Sequence, residues 1–311
     1  MHGRTRTAAK PDPARVAAEN RKCAQFAGLA GAMLRKHRAG ARDGETLALN
    51  DSLLVVNPDV ATWWNWRRLY IASGAGGGHP LEAELALTAA ALRKNPKSYP
   101  TWAHRRWAVE RLALAGGGSG AAVLAGELEL CASALKLDER NFHCWGYRRW
   151  AAGAPGSAAT PESELAFSRE KIAANFSNYS AWHLRAALLS SPSRGGGAPS
   201  PWAEEAALVR DAIFTEPDDQ AAWWYQRFVL SKATAATLAA EAEQVGELLQ
   251  LEPECRLAAA MLADMLARLA DVVGADKRDD VNKARRWLHR RLVRLDGLHA
   301  GFHAVRWAGV A

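Results

Sequence analysis

Apolar residues along this chain recur at helical spacing in paired segments, and a short polar turn separates the two members of each pair. In one pair, Leu85, Leu87 and Leu92 mark the first segment, and the polar turn that follows contains Pro96. Proline cannot continue the helix before it, so this helix ends at the turn. A second helix is predicted over residues 99–114. The pattern therefore predicts a helical hairpin.

The hairpin pattern recurs at least five times. In each copy a tryptophan stands seven residues after an Asn, Asp or Glu, and an arginine follows three or four residues later. The pairs are Asn57/Trp64, Asn95/Trp102, Asp138/Trp145, Asn175/Trp182 and Glu216/Trp223. Successive tryptophans are 38, 43, 37 and 41 residues apart, a period typical of stacked helical hairpins. The sequence thus predicts an all-α fold organised as one superhelical domain.

Three segments are predicted along this superhelix. Residues 1–40 form a basic N-terminal arm and the first helix, residues 41–272 form five to six hairpin repeats, and residues 273–311 form helices that complete the superhelix. The sixth repeat is weaker than the others, because Cys255 and Arg256 stand where a tryptophan-bearing helix is expected to begin.

The tryptophan and arginine of each repeat share one helix face, which favours a structural role for both. We expect the tryptophans to pack between helices. We expect each arginine to hold a turn carbonyl or a neighbouring carboxylate with its forked donors. The structural set is Trp64, Arg67, Trp102, Arg105, Trp145, Arg148, Trp182, Arg185, Trp223 and Arg227.

Composition excludes several other classes of function. No Gly-Lys pair is present, so a P-loop for ATP or GTP is not supported. The four cysteines have no paired spacing and no His/Cys set is clustered, so this chain alone is not expected to bind a metal. No apolar run is long enough for membrane insertion. The net charge of +7 could indicate nucleic acid, an acidic partner or an anionic ligand, which the sequence separates only weakly. The basic cluster from Lys283 to Arg294 is most simply a solvated helix face, and no nucleic-acid partner is expected.

Several segments together resemble the alpha-subunit repeats of protein prenyltransferases. They are NPDVATWWNWRR, NPKSYPTWAHRRW, LDERNFHCWGYRRW, NFSNYSAWHLR and TEPDDQAAWWYQRF. DERNFHCW, NFSNYSAWH and the opening residues 1–4 are more similar to the alpha subunits of Rab geranylgeranyltransferases than to those of farnesyltransferases. The resemblance implies a right-handed α-α superhelix of TPR-like hairpin repeats.

The resemblance also implies a cytoplasmic, heterodimeric transferase that is inactive as the single chain. The partner is a prenyltransferase beta subunit that holds the catalytic zinc, and geranylgeranyl diphosphate binds where the subunits meet. The protein substrate is a Rab GTPase presented by a Rab escort protein, and its C-terminal cysteine thiolate attacks C1 of the diphosphate ester. Cations and hydroxyls directed at the leaving diphosphate would accelerate this step.

By the same resemblance, three residues of this chain face the diphosphate: Lys97, Tyr99 and His143. From the residues alone, other interpretations stay open. Lys97 is also an ordinary turn lysine, Tyr99 also a helix-starting residue, and His143 also an interface histidine. A separate hypothesis concerns His2, whose imidazole could reach the partner's zinc from the N-terminal arm and restrain activity.

The sequence alone leaves two alternative functions open. The chain could be the alpha subunit of a farnesyltransferase or type I geranylgeranyltransferase, which share the mechanism but modify other proteins. It could also be a non-enzymatic helical-repeat scaffold that binds partners on its concave face and needs no diphosphate site.

Overall fold

The computed structural model of the chain describes residues 12–74, 78–114, 119–191 and 201–309, and these residues are helical with no β-strand among them. The all-α fold expected from the repeats is confirmed. The chain divides into two compact units, residues 1–159 and 160–311. The first three tryptophan repeats lie in the first unit and the remaining two in the second.

The described residues of the first unit form one long helix and three hairpins. Helix α1 packs against α2, and the hairpins pair α2 with α3, α4 with α5 and α6 with α7. The helices are α1 Pro13–Arg38, α2 Gly44–Val56, α3 Ala61–Ala72, α4 Leu81–Lys94, α5 Tyr99–Leu114, α6 Ser119–Leu137 and α7 Phe142–Gly153. The bounds of α5 are those predicted from the sequence. The second helices α3, α5 and α7 also contact one another in order.

In the second unit, the part of the chain that the structure describes forms four hairpins. They pair α8 with α9, α10 with α11, α12 with α13 and α14 with α15. The helices are α8 Pro161–Ala174, α9 Tyr179–Leu189, α10 Trp202–Thr215, α11 Gln220–Leu230, α12 Ala235–Leu251, α13 Arg256–Ala270, α14 Ala275–Leu295 and α15 Ala300–Ala308, with a short 3₁₀ turn Gly297–His299 before α15.

Polar side chains in the turns set where the second helices begin. Asn141 caps α7 by accepting the backbone N–H groups of His143 and Cys144, and Asn178 caps α9 by accepting that of Ala181. Each cap satisfies amide groups that have no partner inside the helix. The caps therefore fix the first turn of α7 and of α9. They also fix the positions from which the side chains of that turn extend.

Each repeat tryptophan fastens its second helix to the turn before it. In all five repeats the indole N–H donates to the carbonyl oxygen six residues earlier. The pairs are Trp64 with Pro58 (2.8 Å), Trp102 with Pro96 (2.9 Å), Trp145 with Glu139 (2.8 Å), Trp182 with Phe176 (2.8 Å) and Trp223 with Pro217 (2.7 Å). All five indoles are buried. The tryptophans thus combine core packing with a hydrogen bond that a smaller apolar residue cannot replace.

The last two hairpins keep the geometry of the repeat without its tryptophan. Cys255 caps α13 and its thiol also donates to the carbonyl of Pro217 (3.4 Å). Buried Ala259 stands six residues after Pro253, where the other repeats have tryptophan. In α15, buried His303 occupies the tryptophan position, seven residues after Asp296. The spacing D-x6-H-x2-R, ending at Arg306, therefore resembles that of the repeats, and sequence analysis did not identify it.

No helix in the part of the chain that the structure describes combines the length and apolar character needed to cross a membrane.

Replacing Trp182 by Phe should destabilise the chain. The side chain is 1% exposed and packs on Tyr225 with ring centroids 4.6 Å apart. Phenylalanine loses volume and leaves the Phe176 carbonyl without its donor, for a cost of about 1–3 kcal/mol. Trp224→Phe is the matched control because that indole is 57% exposed. Denaturant midpoints of the purified variants should separate the two, and equal midpoints would contradict the anchoring role.

Candidate functional site

Lys97 lies in the turn between α4 and α5. The side chain of Asn95 accepts its backbone N–H (3.2 Å), which closes a tight turn around Pro96. The ammonium group lies 3.1 Å from Oδ2 of Asp138, in the turn of the next repeat, and the lysine side chain is 51% exposed. The structure therefore presents Lys97 at the surface, where an anionic ligand can reach it.

Tyr99 and His143 come together from neighbouring repeats. Tyr99 begins α5 and His143 is the second residue of α7. Their ring centroids are 4.0 Å apart and the ring planes are nearly perpendicular. Phe142 lies against the same imidazole, with centroids 3.9 Å apart. The structure thus brings two of the predicted site residues into direct contact, and Tyr99 remains 66% exposed.

Lys97 completes this cluster electrostatically. Partial burial, followed by the positive charge of Lys97, lowers the pKa of His143 below its usual value. The imidazole is therefore neutral at neutral pH. An ammonium group, a phenol and a neutral imidazole from two adjacent turns form what we call the Lys97–Tyr99–His143 cluster. These groups together can donate several hydrogen bonds to phosphate oxygens.

Buried arginines join one repeat to the next. Arg67, Arg105 and Arg185 each donate two hydrogen bonds to a glutamate in the first helix of the following hairpin. The pairs are Arg67 with Glu84 (2.5 and 2.7 Å), Arg105 with Glu127 (2.6 and 2.7 Å) and Arg185 with Glu205 (2.6 and 2.6 Å). These arginines hold carboxylates, as the sequence suggested, but the turn carbonyls are held by the tryptophans instead.

The arginines also bond within their own hairpins. Arg105, Arg148 and Arg185 donate to carbonyl groups of the preceding helix. The acceptors are Leu85 (2.8 Å), Leu128 (3.0 Å) and Leu165 (3.0 Å), respectively. A guanidinium group with five donors in a planar fork can make both kinds of contact at once. Each of these arginines therefore helps to hold its hairpin closed.

Arg227 does not occupy the equivalent position. Its side chain is 55% exposed and pairs with Asp264. The residue three positions after Trp223 is Gln226, which is buried. The spacing of four residues, rather than three, thus places Arg227 on a different face of its helix from the other repeat arginines.

The buried glutamates are the residues that sequence analysis missed. Each accepts a further hydrogen bond from the second helix of its own hairpin: Glu84 from His104 (2.7 Å), Glu127 from Tyr147 (2.8 Å) and Glu205 from Tyr225 (2.5 Å). A signal was available, because Glu84, Glu127, Glu164 and Glu205 each precede a repeat tryptophan by 18 residues. The glutamates are thus part of the repeat.

Charge and hydrogen bonding around Glu84 favour its ionised form. Burial opposes ionisation, but hydrogen bonds from His104 and Arg67 outweigh it and lower the pKa of Glu84 to about 2. Burial lowers the pKa of His104 as well. A neutral His104 donates from Nε2 to Glu84, while its Nδ1 accepts from Arg68 (3.3 Å). The group is therefore an arginine–carboxylate pair supported by neutral His104, and His79 Nε2 also contacts Glu84 Oε1 at 2.6 Å.

Two further predictions from the sequence concern His2 and the binding of a metal ion. His2 lies outside the described residues. Within residues 12–74, 78–114, 119–191 and 201–309, no three His, Cys, Asp or Glu side chains are grouped in a way that could hold a metal ion.

Comparison with known families decides what kind of repeat this is. Four segments, residues 81–112, 124–154, 161–192 and 202–233, match the family described as protein prenyltransferase alpha subunit repeat. This part of the chain is thus similar to prenyltransferase alpha-subunit repeats. The matched segments correspond to the hairpins α4–α5, α6–α7, α8–α9 and α10–α11. The Lys97–Tyr99–His143 cluster thus lies between the first two matched prenyltransferase repeats.

Individual relatives agree with this assignment. The chain is 40% identical over 248 residues to the geranylgeranyl transferase type-2 subunit alpha of Rattus norvegicus and to that of Homo sapiens, a match that covers 75% of this chain and 42% of each relative. It is 36% identical over 117 residues to subunit alpha 1 of the Arabidopsis thaliana enzyme, which covers 35% of this chain and 17% of that relative. The chain therefore spans about two fifths of the length of the mammalian relatives that it matches.

A solved structure shows the same fold. A Candida albicans protein geranylgeranyltransferase-I, solved as a complex with GGPP, matches with a TM-score of 0.73 over 92% of this chain and 91% of that chain. The two sequences are 18% identical. At this low sequence identity, the likeness supports the fold alone.

Replacing Glu84 by Gln should lower the free energy of unfolding by about 3 kcal/mol at neutral pH, because Arg67 loses the buried one of its carboxylate partners and keeps the half-exposed Asp51. The folded pKa of about 2 lies below the ordinary 4.5. The stabilisation is therefore complete above pH 4.5 and is lost as the pH falls toward 2.

Exposed Glu82, in the same helical turn, gives the matched control Glu82→Gln. Denaturant unfolding between pH 7 and pH 3 should show the Glu84→Gln deficit shrinking with acid and almost no effect of the control. A deficit that does not change with pH would contradict the ionised pair.

Proposed function

We propose that this chain is the alpha subunit of a heterodimeric Rab geranylgeranyltransferase. The observation that carries the proposal is the Lys97–Tyr99–His143 cluster, in which a cation and two further polar groups from adjacent turns meet at an exposed edge. The identity of 40% to type-2 alpha subunits over the repeats supports it. The expected substrates are geranylgeranyl diphosphate and the C-terminal cysteines of Rab GTPases presented by an escort protein.

The chemistry of the cluster suits a leaving diphosphate. Negative charge develops on the diphosphate oxygens as the bond to C1 breaks, and a nearby ammonium group stabilises that charge. Lys97 supplies the charge, and the Tyr99 hydroxyl supplies a hydrogen-bond donor. Neutral His143 orients the Tyr99 ring through the edge contact of 4.0 Å and can itself donate one hydrogen bond.

The surface beside the cluster suits a large protein partner. Tyr99 and Phe142 begin α5 and α7, lie with centroids 6.0 Å apart, and are 66% and 59% exposed. Exposed aromatic side chains at successive helix starts are typical of protein interfaces. The beta subunit, which would hold the zinc, is the partner we propose for this surface, in a cytoplasmic complex.

Replacing Lys97 by Ala should lower kcat/KM of the reconstituted dimer by about 100-fold, the lower end of the range for loss of one group that stabilises a developing anion. Exposed Lys136, just before the next turn, gives the control Lys136→Ala. Both variants should form the dimer and melt at the wild-type temperature, because neither side chain is buried. Unchanged kcat/KM for Lys97→Ala in an intact dimer would argue against the diphosphate role.

Co-expression with candidate beta subunits tests the function as a whole. The proposal predicts a stable dimer that transfers geranylgeranyl to a Rab protein only with escort protein present. A dimer that instead modifies short C-terminal peptides without escort protein would assign the chain to farnesyltransferase or type I geranylgeranyltransferase. Failure to form a complex with any beta subunit would favour a scaffold.

His2 provides a further test in the same dimer. If its imidazole reaches the partner's zinc, His2→Ala should change the apparent substrate affinity and leave the melting temperature unchanged. Unchanged kinetics would remove this regulatory role.

A further inference from the structure

A side-chain bond links each turn of the first unit to the next. The third residue of one turn meets the first residue of the following turn. Asp59 Oδ2 accepts from Asn95 Nδ2 at 2.8 Å, and Asp138 Oδ2 accepts from Lys97 Nζ at 3.1 Å. The second link, between Lys97 and Asp138, is an ion pair. Its lysine is the residue that we propose to bind the diphosphate.

The Asp138 carboxylate is held in place by its own turn. Oδ1 accepts the backbone N–H of Arg140 (3.2 Å), which leaves Oδ2 directed at Lys97. The side chain is 35% exposed. A carboxylate fixed in this way acts as a permanent negative neighbour of the lysine.

Lys97 has more freedom than its partner. Its backbone is fixed by the bond to Asn95 (3.2 Å), but its side chain is flexible and half-exposed. Its charge already acts on His143, whose pKa it lowers together with burial. The ammonium group can therefore move from Asp138 to an anion at the Tyr99–His143 pair without movement of the backbone.

We propose that Asp138 is the resident counter-ion of Lys97 and competes with the diphosphate for it. This inference rests on the proposed function. With no anion bound, Asp138 holds the ammonium group. Binding of the diphosphate ester draws Lys97 away, and its return to Asp138 after transfer favours release of pyrophosphate. Asp138 is thus a positioning residue. It acts on the diphosphate only through Lys97 and does not itself contact the reacting atoms.

The test uses Asp138→Asn in the alpha–beta complex, with inorganic pyrophosphate as the inhibitor. Asparagine keeps the oxygen that accepts the backbone N–H two residues later, as it does in three other turns: Asn57 (3.1 Å), Asn95 (3.2 Å) and Asn175 (2.9 Å). The substitution removes the charge alone. Ki for pyrophosphate should fall about two- to fivefold, the size expected for a partly exposed ion pair.

Three further variants make the result specific. In a Lys97→Ala background, Asp138→Asn should leave the Ki for pyrophosphate unchanged. Asp138 is proposed to weaken pyrophosphate binding only by pairing with Lys97, and that ammonium group is absent from this variant. Asp138→Glu keeps the charge and should return Ki toward the wild-type value. Asp218→Asn makes the same charge change at an exposed position in a turn of the second unit and should have no effect.

The outcomes separate this inference from the proposed function. If Asp138→Asn raises Ki, leaves it unchanged, or shifts it equally with and without Lys97, the counter-ion role is overturned while a loss of activity in Lys97→Ala still supports the diphosphate site. If Lys97→Ala changes neither activity nor pyrophosphate inhibition, both ideas fall together.

Discussion

A buried carboxylate shared between neighbouring repeats is the interaction on which the stacking depends. Glu127 illustrates it, because it binds Arg105 of the preceding hairpin and Tyr147 of its own. A buried charge is costly unless it is paired and hydrogen-bonded, so a different register of the two hairpins, which would separate this pair, is disfavoured. The tyrosine responds to the same charge: burial and the nearby carboxylate raise the pKa of Tyr147, which keeps its hydroxyl protonated as a donor.

That register aligns the turns. The carbonyl of Pro96 accepts from the Trp102 indole and also from Asn141 Nδ2 of the next turn (2.9 Å). The Pro58 carbonyl is used in the same way by Trp64 and by Ser98 of the following turn (3.0 Å). Successive turns of the first unit therefore lie side by side. The candidate site is a consequence of this alignment, since it is assembled from residues that are 44 positions apart in sequence, Tyr99 and His143.

The sequence was most informative where structure is local. Pro96 and the repeat tryptophans predicted the hairpin and the bounds of α5, because helix ends and turns are set by neighbouring residues. The glutamates escaped notice because an alanine-rich helix tolerates glutamate anywhere on its solvent face, and burial depends on the next hairpin. Arg227 was misplaced for a related reason, since a one-residue shift changes the helix face that a side chain occupies. The Lys97–Asp138 pair likewise requires the register of two turns.

Two exposed aromatic rings lie beside Lys97, so a partner that covers them would also change the surroundings of this lysine. Tyr99 and Phe142 remain largely exposed in this chain, and covering them is favourable because apolar area is removed from water. A partner that covers the rings also removes water from Lys97, which lies in the same turn region. Attraction between an ammonium group and a diphosphate increases as the local dielectric constant falls. The contact that stabilises the proposed heterodimer would therefore also strengthen the group that acts on the leaving diphosphate, which explains why such a chain would be inactive alone.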